Sequence, residues 1–434
     1  MATPYIAFWF RRDLRLEDNI GLWHALNDGR PVIPVFIFDR EILDQLPAKD
    51  ARVTFIHQQI TRLQQQLSTG GSSLVVEYGN PASVWEKLSE KYDFQAVFTN
   101  HDYEPYAQKR DNEIAAKLLE RRITFQTFKD QVIFEKKEIL SQSDTPYTVF
   151  TPYSRKWKDN LNPDNLRSFD TAPHFHRFWK TEILPVPTLE EMRFEPSDIP
   201  FPGQIPDPEI IKNYDKTRDF PGISGTSRLG IHLRFGTLSV RELVKIALKS
   251  NPVYLNELIW REFYMQILWN FPHVAYGPFK KNYEAIHWRE DPDALQRWKE
   301  GKTGYPLVDA GMRELNSTGY MHNRVRMVVA SFLSKHLLIN WQHGEAYFAE
   351  KLLDFELSSN NGGWQWAAGC GTDAAPYFRI FNPESQLKKF DPQAKYIRKW
   401  VPEFGTPSYP RPMVEHTFAR ERCLEAYKKA LADN

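Results

Sequence analysis

The spacing of apolar residues changes once along the chain, and this change constrains the fold more than any other feature of the sequence. Over the first 130 residues, short apolar runs alternate with amphipathic segments; the runs lie at 5–10, 32–38, 73–78, 96–99 and 123–128. Such alternation predicts a parallel sheet with helices on both faces. After residue 205 the apolar residues recur at helical spacing almost throughout, which predicts an all-helical region.

The predicted fold class is therefore α/β plus all-α. We place a parallel-sheet, Rossmann-like domain at 1–130, an ordered, proline-rich linker at 131–205 and a helical domain at 206–434. A chain of 434 residues is too long for one core, which agrees with two domains. The helices of the first part are predicted at 22–26, 52–67, 81–92 and 106–121. Those of the second part are predicted at 207–219, 239–249, 252–270, 293–300, 306–316, 321–337, 344–353 and 384–398.

Composition restricts the classes of partner and compartment. Net charge is +1, so any site for nucleic acid must be a local patch. Two cysteines, Cys370 and Cys423, exclude a disulfide framework, and no cluster has the spacing of metal ligands. The N-terminus has two arginines before any long apolar run, and no stretch is long and apolar enough to span a membrane. We expect a cytoplasmic monomer with no metal, no membrane contact and no obligate protein partner.

The predicted sheet lacks the usual nucleotide signatures. No G-x-G-x-x-G or G-x-x-x-x-G-K follows any predicted strand, so dinucleotide and P-loop functions are disfavoured there. A ligand could still bind at the carboxyl ends of the strands, where the loop at 100–106 lies. That loop fits an acidic helix entry equally well.

Residues 303–383 concentrate the polar signal of the helical region. Asn323, Arg326 and Asp354, followed by Asn360 and Asn361, lie among predicted helices and several tryptophans. Polar groups in such surroundings need partners, and a large planar cofactor with polar edges would supply them.

One predicted helix, 321–335, has two distinct faces. Its apolar stripe indicates core packing and comprises Met321, Val325, Val328, Val329, Phe332 and Leu333. Asn323, Arg326 and Met327 share another face, at i, i+3 and i+4. The second face is therefore free to contact a ligand.

Three further groups each have a functional and a plain interpretation. Thr226, Ser227, Arg228 and Leu229 precede a helical turn, where hydroxyls and free N–H groups bind phosphate but also simply cap helices. Glu257, Trp260 and Arg261 share a helix face that suits an extruded base with its phosphate, or an ordinary amphipathic helix. Three tryptophans in separate elements would be core residues or an electron relay: Trp288, Trp341 and Trp364.

Glycines and arginines complete the set of candidates. Gly362 and Gly363 predict a turn where the backbone approaches something closely. The acidic pair Asp354 and Glu356 has no second pair to frame a cleft, so glycosidase chemistry is disfavoured. Four arginines would form a local phosphate-binding patch if they converge, and are otherwise solvated surface residues: Arg218, Arg261, Arg324 and Arg379.

Together these motifs resemble the DNA photolyase and cryptochrome family over nearly the whole chain. The similarity is carried by residues 9–15, 225–229, 256–264, 304–306, 321–324, 360–366 and 381–383. Within the family the sequence is most similar to class I cyclobutane pyrimidine dimer photolyases. The (6-4) photolyases have histidine at the position of Asn323, which disfavours (6-4) repair.

The resemblance implies an antenna domain and a helical domain that binds FAD folded in a U. It assigns Tyr214, Thr226, Ser227, Arg228 and Leu229 to the phosphates and ribityl chain. It assigns Asn323, Arg326, Asp354, Glu356 and Asn360 to the surroundings of the isoalloxazine, with Asn360 facing flavin N5. Glu356 stands where relatives often have aspartate.

The resemblance also implies a substrate, UV-damaged DNA. Glu257, Trp260 and Met327 match the dimer pocket. Together with Asn323 they match the catalytic set. Glu257 also matches a cofactor contact. Arg218, Arg261, Arg324 and Arg379, with Trp260, match the DNA contacts. Trp364, Trp341 and Trp288 match an electron-transfer chain in order from flavin to surface.

The implied activity is light-dependent repair, in which reduced FAD donates an electron to a flipped-out pyrimidine dimer. The alternative is a cryptochrome, a blue-light receptor without repair activity, whose members often lose the dimer-pocket residues. A flavin oxidoreductase would need a nicotinamide site, which we do not find. For the antenna, Asp102 and Glu104 resemble the 8-hydroxy-deazaflavin type, whereas Tyr106 and Ala107 replace the Asn-Glu pair of methenyltetrahydrofolate binders.

Overall fold

Five parallel strands form a single sheet in the order β3-β2-β1-β4-β5. The computed structural model describes residues 4–432. The strands are β1 (Tyr5–Phe10), β2 (Val32–Asp39), β3 (Val75–Gly79), β4 (Phe94–Asn100) and β5 (Thr124–Phe128). The central strands β1 and β2 are almost wholly buried, because both faces of a parallel sheet are covered. The α/β prediction is confirmed for this part of the chain.

Helices connect the strands and make up most of the remaining chain. Those between the strands are α1 (Ile20–Asn27), α2 (Arg40–Leu43), α3 (Ala51–Thr69), α4 (Pro81–Lys91) and α5 (Pro105–Glu120). The next five are α6 (Phe150–Asn160), α7 (Pro208–Lys212), α8 (Tyr214–Thr217), α9 (Gly230–Arg234) and α10 (Val240–Ser250). Then follow α11 (Pro252–Asn270), α12 (Pro292–Lys299), α13 (Pro306–Thr318), α14 (Asn323–Ser331) and α15 (Trp341–Lys351). The last are α16 (Leu357–Ala368), α17 (Pro383–Phe390), α18 (Lys395–Trp400) and α19 (His416–Ala432).

Short helical turns of other types supplement these helices. The 3₁₀ turns are Pro163–Leu166, Ala172–Arg177, Pro272–Ala275 and Lys281–Ala285. A π-helical turn, Phe332–His336, continues α14. No helix among residues 4–432 is long and apolar enough to cross a membrane.

The chain divides into two units by internal contact. Unit 1 comprises the chain up to Glu135, Leu161–Ile205 and Leu229–Ile246. Unit 2 comprises Lys136–Asn160, Pro206–Arg228 and the chain from Ala247 onward. Parts of the predicted linker thus belong to each unit, and 229–246 group with the sheet. The boundaries at 130 and 205 stay a prediction.

Buried ion pairs hold the segment after β1 within unit 1. Asp130 is 1% exposed and lies 2.7 Å from Arg15 Nη2 and 3.0 Å from Arg241 Nη2. Burial alone would raise the pKa of Asp130, but the two guanidinium groups lower it below its ordinary value. Asp18 also accepts hydrogen bonds from Arg241. The cap of α1 is therefore Asn19 rather than Asp18, and the Asn19 side chain accepts a hydrogen bond from Leu22 N.

The core of unit 2 includes the stripe predicted on α14. All six stripe residues, from Met321 to Leu333, are no more than 1% exposed. The predicted single helix at 321–337 instead begins at Asn323 and changes to a π-helical turn at Phe332. The predicted helix at 384–398 is two helices, α17 and α18, because Pro392 cannot continue the first.

The predicted turn at Gly362 and Gly363 was wrong, because both residues lie inside α16. The predicted close approach is present: a Cβ at Gly362 would lie 2.2 Å from the ring of Tyr264 on α11. A Cβ at Gly363 would meet nothing within 4 Å. Glycine at 362 therefore lets α16 pack directly on α11.

These neighbouring glycines give a matched test of the packing. We expect Gly362→Ala to destabilise the protein by about 1–3 kcal/mol through overpacking against Tyr264. Gly363→Ala should be neutral or stabilise by up to about 1 kcal/mol, since alanine favours helix. Urea unfolding of the two FAD-free variants measures the difference. Equal free energies of unfolding would contradict the close packing of α16 on α11.

Candidate active site

A cavity of about 390 Å³ of water-accessible space lies in unit 2, among α11, α14, α15 and α16. It brings together predicted residues from four separate stretches of sequence. Its polar lining residues are Arg218, Glu257, Arg261, Asn323, Arg326, Asp354, Glu356, Ser359 and Asn360. Its apolar and aromatic lining includes Trp260, Tyr264, Met327, Phe348, Phe355, Trp364 and Trp366.

The first turn of α14 supplies one polar wall. Arg326 Nη2 lies 3.1 Å from Asp354 Oδ2, and Arg326 Nε donates to Met321 O at 2.7 Å. These contacts fix the guanidinium plane beside the cavity. Asn323, one turn earlier, has an amide with no hydrogen-bond partner among the described residues. The predicted shared face of Asn323, Arg326 and Met327 does line the cavity.

A second polar part of the lining is Asn360 on α16, which contacts α15. Asn360 Nδ2 donates to Glu345 O at 3.0 Å and lies 3.4 Å from Glu345 Oε1. Burial raises the pKa of Glu345 to about 7, and the Asn360 hydrogen bond opposes that rise. Sequence reasoning missed Glu345, because its contact with Asn360 crosses between two helices.

An aromatic face and an acid lie together on α11. Trp260 stacks on Phe150 with ring centroids 3.7 Å apart and planes 5° apart. Glu257 Oε1 lies 2.5 Å from Arg218 Nη1. Burial raises the pKa of Glu257, and the Arg218 guanidinium opposes that rise. Phe150 lies in the predicted linker, and no sequence pattern indicated its contact with Trp260.

The four predicted DNA-binding arginines differ in their surroundings. Arg218 and Arg261 line the cavity, and Arg261 Nη2 lies 3.5 Å from Glu356 Oε1. Arg324 is outside the lining, with Nη2 2.6 Å from Asp219 and Nη1 3.7 Å from Met327 Sδ. Arg379 is exposed and has no carboxylate partner within ion-pair distance among the described residues.

The residues predicted to hold phosphates lie outside the large cavity lining. Ser227 Oγ is 3.0 Å from Tyr254 OH, and the Tyr214 ring packs edge-on against Tyr254 at 5.1 Å. Thr226 Oγ1 is 3.0 Å from Tyr320 OH. Arg228 and Thr226 line a second, smaller cavity, and Leu229 is buried.

The three predicted relay tryptophans become more exposed in the predicted order. Trp364 is 2% exposed and lines the cavity, Trp341 is 4% exposed, and Trp288 is half-buried. Gly344, three residues after Trp341 on α15, lies against the Trp364 ring. Trp364 therefore lies at the cavity and Trp288 is the most exposed of the three, while the order of the relay and its electron-transfer role stay predictions.

The predicted antenna residues of unit 1 are already bound by arginine side chains. Arg12 Nη1 lies 3.1 Å from Asp102 Oδ1 and 3.2 Å from Glu104 Oε1, and Arg234 Nη1 lies 2.7 Å from Glu104 Oε1. Burial would raise the pKa of Asp102, but the neighbouring arginines hold it well below its ordinary value. Their role in antenna binding stays a prediction.

Comparison with known proteins gives one consistent family. The profile of the DNA photolyase domain matches residues 6–173, and that of the FAD binding domain of DNA photolyase matches residues 254–408. The deoxyribodipyrimidine photo-lyase of Halobacterium salinarum is 37% identical over 98% of this chain and 99% of its own. That of Escherichia coli is 37% identical over 97% and 98%. The chain belongs to the DNA photolyase family, and it has the family's FAD-binding domain.

Solved structures agree with this assignment. A class III photolyase from Agrobacterium tumefaciens matches with a TM-score of 0.87 and 32% identity, over 99% of this chain and 98% of that one. An archaeal photolyase from Sulfolobus tokodaii with two FAD molecules matches with a TM-score of 0.85 and 33% identity, over 98% and 100%. The fold prediction is confirmed, whereas the class I assignment stays a prediction.

The large cavity has the chemistry that a flavin ring requires. The Arg326–Asp354 pair, the unpartnered Asn323 amide and Asn360 offer donors and acceptors to polar ring edges. Gly363 leaves the helix backbone accessible beside the cavity. No group of three or more potential metal ligands occurs within residues 4–432.

The raised pKa of Glu345 predicts a pH-dependent stability. Between about pH 4.5 and 7 the folded protein binds more protons at Glu345 than the unfolded chain does. The stability of the wild type relative to Glu345→Gln should therefore fall as the pH rises from 5 to 8. Denaturant unfolding across this range measures the difference. Glu350→Gln, on the exposed side of α15, is the control, and a pH-independent difference for Glu345→Gln would refute the prediction.

Proposed function

We propose that this protein is a light-dependent DNA repair enzyme that splits cyclobutane pyrimidine dimers. The observation that carries the proposal is one cavity that combines a flavin-compatible polar wall with a stacking surface and an acid. The polar wall comprises Arg326, Asp354 and Asn360; Trp260 and Glu257 face the same space. Relatives named deoxyribodipyrimidine photo-lyase, similar over their full length, support the reaction.

FAD is the cofactor, and we propose which residues hold it. Asn323, Arg326, Asp354, Glu356 and Asn360 would surround the isoalloxazine. The Thr226–Ser227 segment and Tyr214 would contact the phosphates and ribityl chain. When bound and fully reduced, FAD supplies the light-activated electron that opens the cyclobutane ring, with no net redox change.

The chain's own groups would bind and orient the damaged bases. A dimer is stacked and paired poorly, so moving it out of the helix costs less than moving normal bases. Trp260 offers one ring face for stacking, because Phe150 covers the other. Met327 would pack on the bases, and Glu257 would hydrogen-bond to them once Arg218 turns toward a phosphate.

Guanidinium groups near the cavity would bind the phosphates flanking the lesion. Arg218 and Arg261 line the cavity, and Arg324 contacts Met327 of its lining. Arg379 is proposed as a further contact. We propose that oxidised cofactor is reduced along a path of three tryptophans, Trp364, Trp341 and Trp288. We also propose that an antenna pigment of the deazaflavin or folate type is a second light absorber.

A cryptochrome without repair activity is the competing function. The joint presence of Glu257, Trp260 and Met327 in one cavity favours repair, since a purely signalling protein has no need of a dimer pocket. Protein loaded with reduced FAD should be incubated with dimer-containing single- and double-stranded DNA under blue light and in darkness. We expect dimers, counted by mass spectrometry, to disappear only in the light. Loss in darkness, or none with fully reduced flavin, would overturn the proposal.

Two variants separate recognition of the lesion from binding of the backbone. Trp260→Ala should weaken binding of dimer-containing DNA roughly 10-fold or more, because stacking is worth about 1–3 kcal/mol per base. Arg324→Ala should weaken binding of intact and damaged DNA alike and reduce the salt slope by about 0.7–0.9. Fluorescence anisotropy at several salt concentrations in the dark measures both.

Each variant is the control for the other. Equal losses of Trp260→Ala on intact and damaged DNA would remove Trp260 from lesion stacking. An unchanged salt slope for Arg324→Ala would remove Arg324 from the phosphate contacts.

A further inference from the structure

The segment 371–381, which runs between α16 and α17, contains neither helix nor strand. Near its start, Asp373 Oδ2 accepts a hydrogen bond at 3.1 Å from the N–H of Phe150, whose ring stacks on a tryptophan of the large cavity. At its end, the Phe381 ring stacks on Trp366 of the cavity lining, with centroids 6.4 Å apart. The segment is therefore attached to the cavity wall at two points.

Arg379 is the exposed cation of this segment. Its backbone N–H donates to Pro376 O at 2.8 Å, and its backbone carbonyl accepts a hydrogen bond from Lys335 Nζ at 2.9 Å. The backbone of Arg379 is thus held on both sides, while its guanidinium carbon lies 5.6 Å from the centre of the Phe381 ring. An exposed guanidinium on a fixed backbone has less freedom to lose when it binds a ligand.

Lys335 holds the Arg379 carbonyl from inside unit 2. It is 1% exposed and lies in the π-helical turn Phe332–His336, and turns of this type are frequent at functional sites. Lysine is almost never fully buried unless it is paired. Here no carboxylate lies within ion-pair distance of Nζ in the part of the chain that the structure describes, and the Arg379 carbonyl is its hydrogen-bond acceptor.

The buried ammonium group of Lys335 has little electrostatic compensation. Burial lowers the pKa of Lys335 to about 8, and the neighbouring groups that oppose this lowering are the thiols of Cys423 and Cys370. Burial raises the pKa of each thiol to about 12, so both are neutral at pH 7 while Lys335 is mostly charged. Burying such a charge costs free energy that an apolar side chain of similar size would not. Stability alone therefore does not explain a lysine at this position.

We propose that Lys335 is a positioning residue for DNA binding, which fixes the backbone of Arg379 so that the exposed guanidinium meets a phosphate of the DNA. This inference rests on the proposed function, in which Arg379 is a DNA contact. Lys335 is buried and lies outside the cavity lining, so it acts through Arg379. The simpler alternative is an anchor that only maintains the fold, and it predicts a loss of stability with no particular coupling to Arg379.

Binding of dimer-free single-stranded DNA to the FAD-loaded protein in darkness tests this role without the repair reaction. Lys335→Met removes the donor and keeps a side chain of similar length. We expect it to weaken binding and to lower the salt slope by up to about 0.7, the loss of one phosphate contact on a single strand. Fluorescence anisotropy at several salt concentrations measures both quantities.

Two double variants separate positioning from general loosening of the protein. Added to Arg379→Gln, Lys335→Met should lower the salt slope no further, because its effect passes through Arg379. Added to Arg324→Ala, it should lower the slope as much as it does in the wild type, since independent contacts contribute additively. The flavin absorption spectrum and urea unfolding of each variant check the cofactor and the fold. Lys335→Leu, which also lacks the donor, is measured in the same way as a second variant.

Equal effects of Lys335→Met in the Arg379→Gln and Arg324→Ala proteins would overturn the proposal. So would an unchanged slope in folded Lys335 variants, or unfolding of both variants, which would assign Lys335 to the fold alone. An unchanged slope in Arg379→Gln would also overturn it, by removing Arg379 from the DNA contacts. Failure of the repair reaction is a separate result, because dimers would then persist under blue light while the binding data for these variants stayed as expected.

Discussion

The pairing of Arg326 with Asp354 is the contact on which the large cavity depends. It joins the first turn of α14 to the chain just before α16, and the helices α14 and α16 carry Asn323, Met327 and Asn360. A partly buried ion pair keeps its partners charged and fixes their geometry, although it adds little net stability. Its role here is therefore placement: it sets a fixed charge pattern at the wall where the flavin is proposed to lie.

Packing behind that wall is unusually direct. Gly362 brings α16 onto Tyr264 of α11, and Gly344 brings α15 onto Trp364. Small residues at both crossings let large rings fill the space between helices, which keeps the lining rigid. A rigid lining holds donors and acceptors in place without reorganisation when a planar ligand enters.

Local patterns in the sequence predicted most of the fold but little of its long-range contact. Each predicted strand is present, because apolar runs in a doubly covered parallel sheet leave a strong signal. The helix α16 was missed, since two glycines and two asparagines lower its intrinsic helix propensity and tertiary packing compensates. The shared face of Asn323, Arg326 and Met327 followed from helical spacing alone. Phe150 against Trp260 and Glu345 against Asn360 did not, because each pair joins segments whose approach only the folded chain defines.

The parallel contact of Phe150 with Trp260 has a consequence for the entropy of recognition. A free indole on a helix samples several rotamers, and fixing it on binding costs conformational freedom. Here the Trp260 ring already packs on Phe150 with centroids 3.7 Å apart, so folding has already restricted its rotamers. An incoming pair of damaged bases meets a flat surface that is already ordered, so little ordering of this side chain is left to oppose binding.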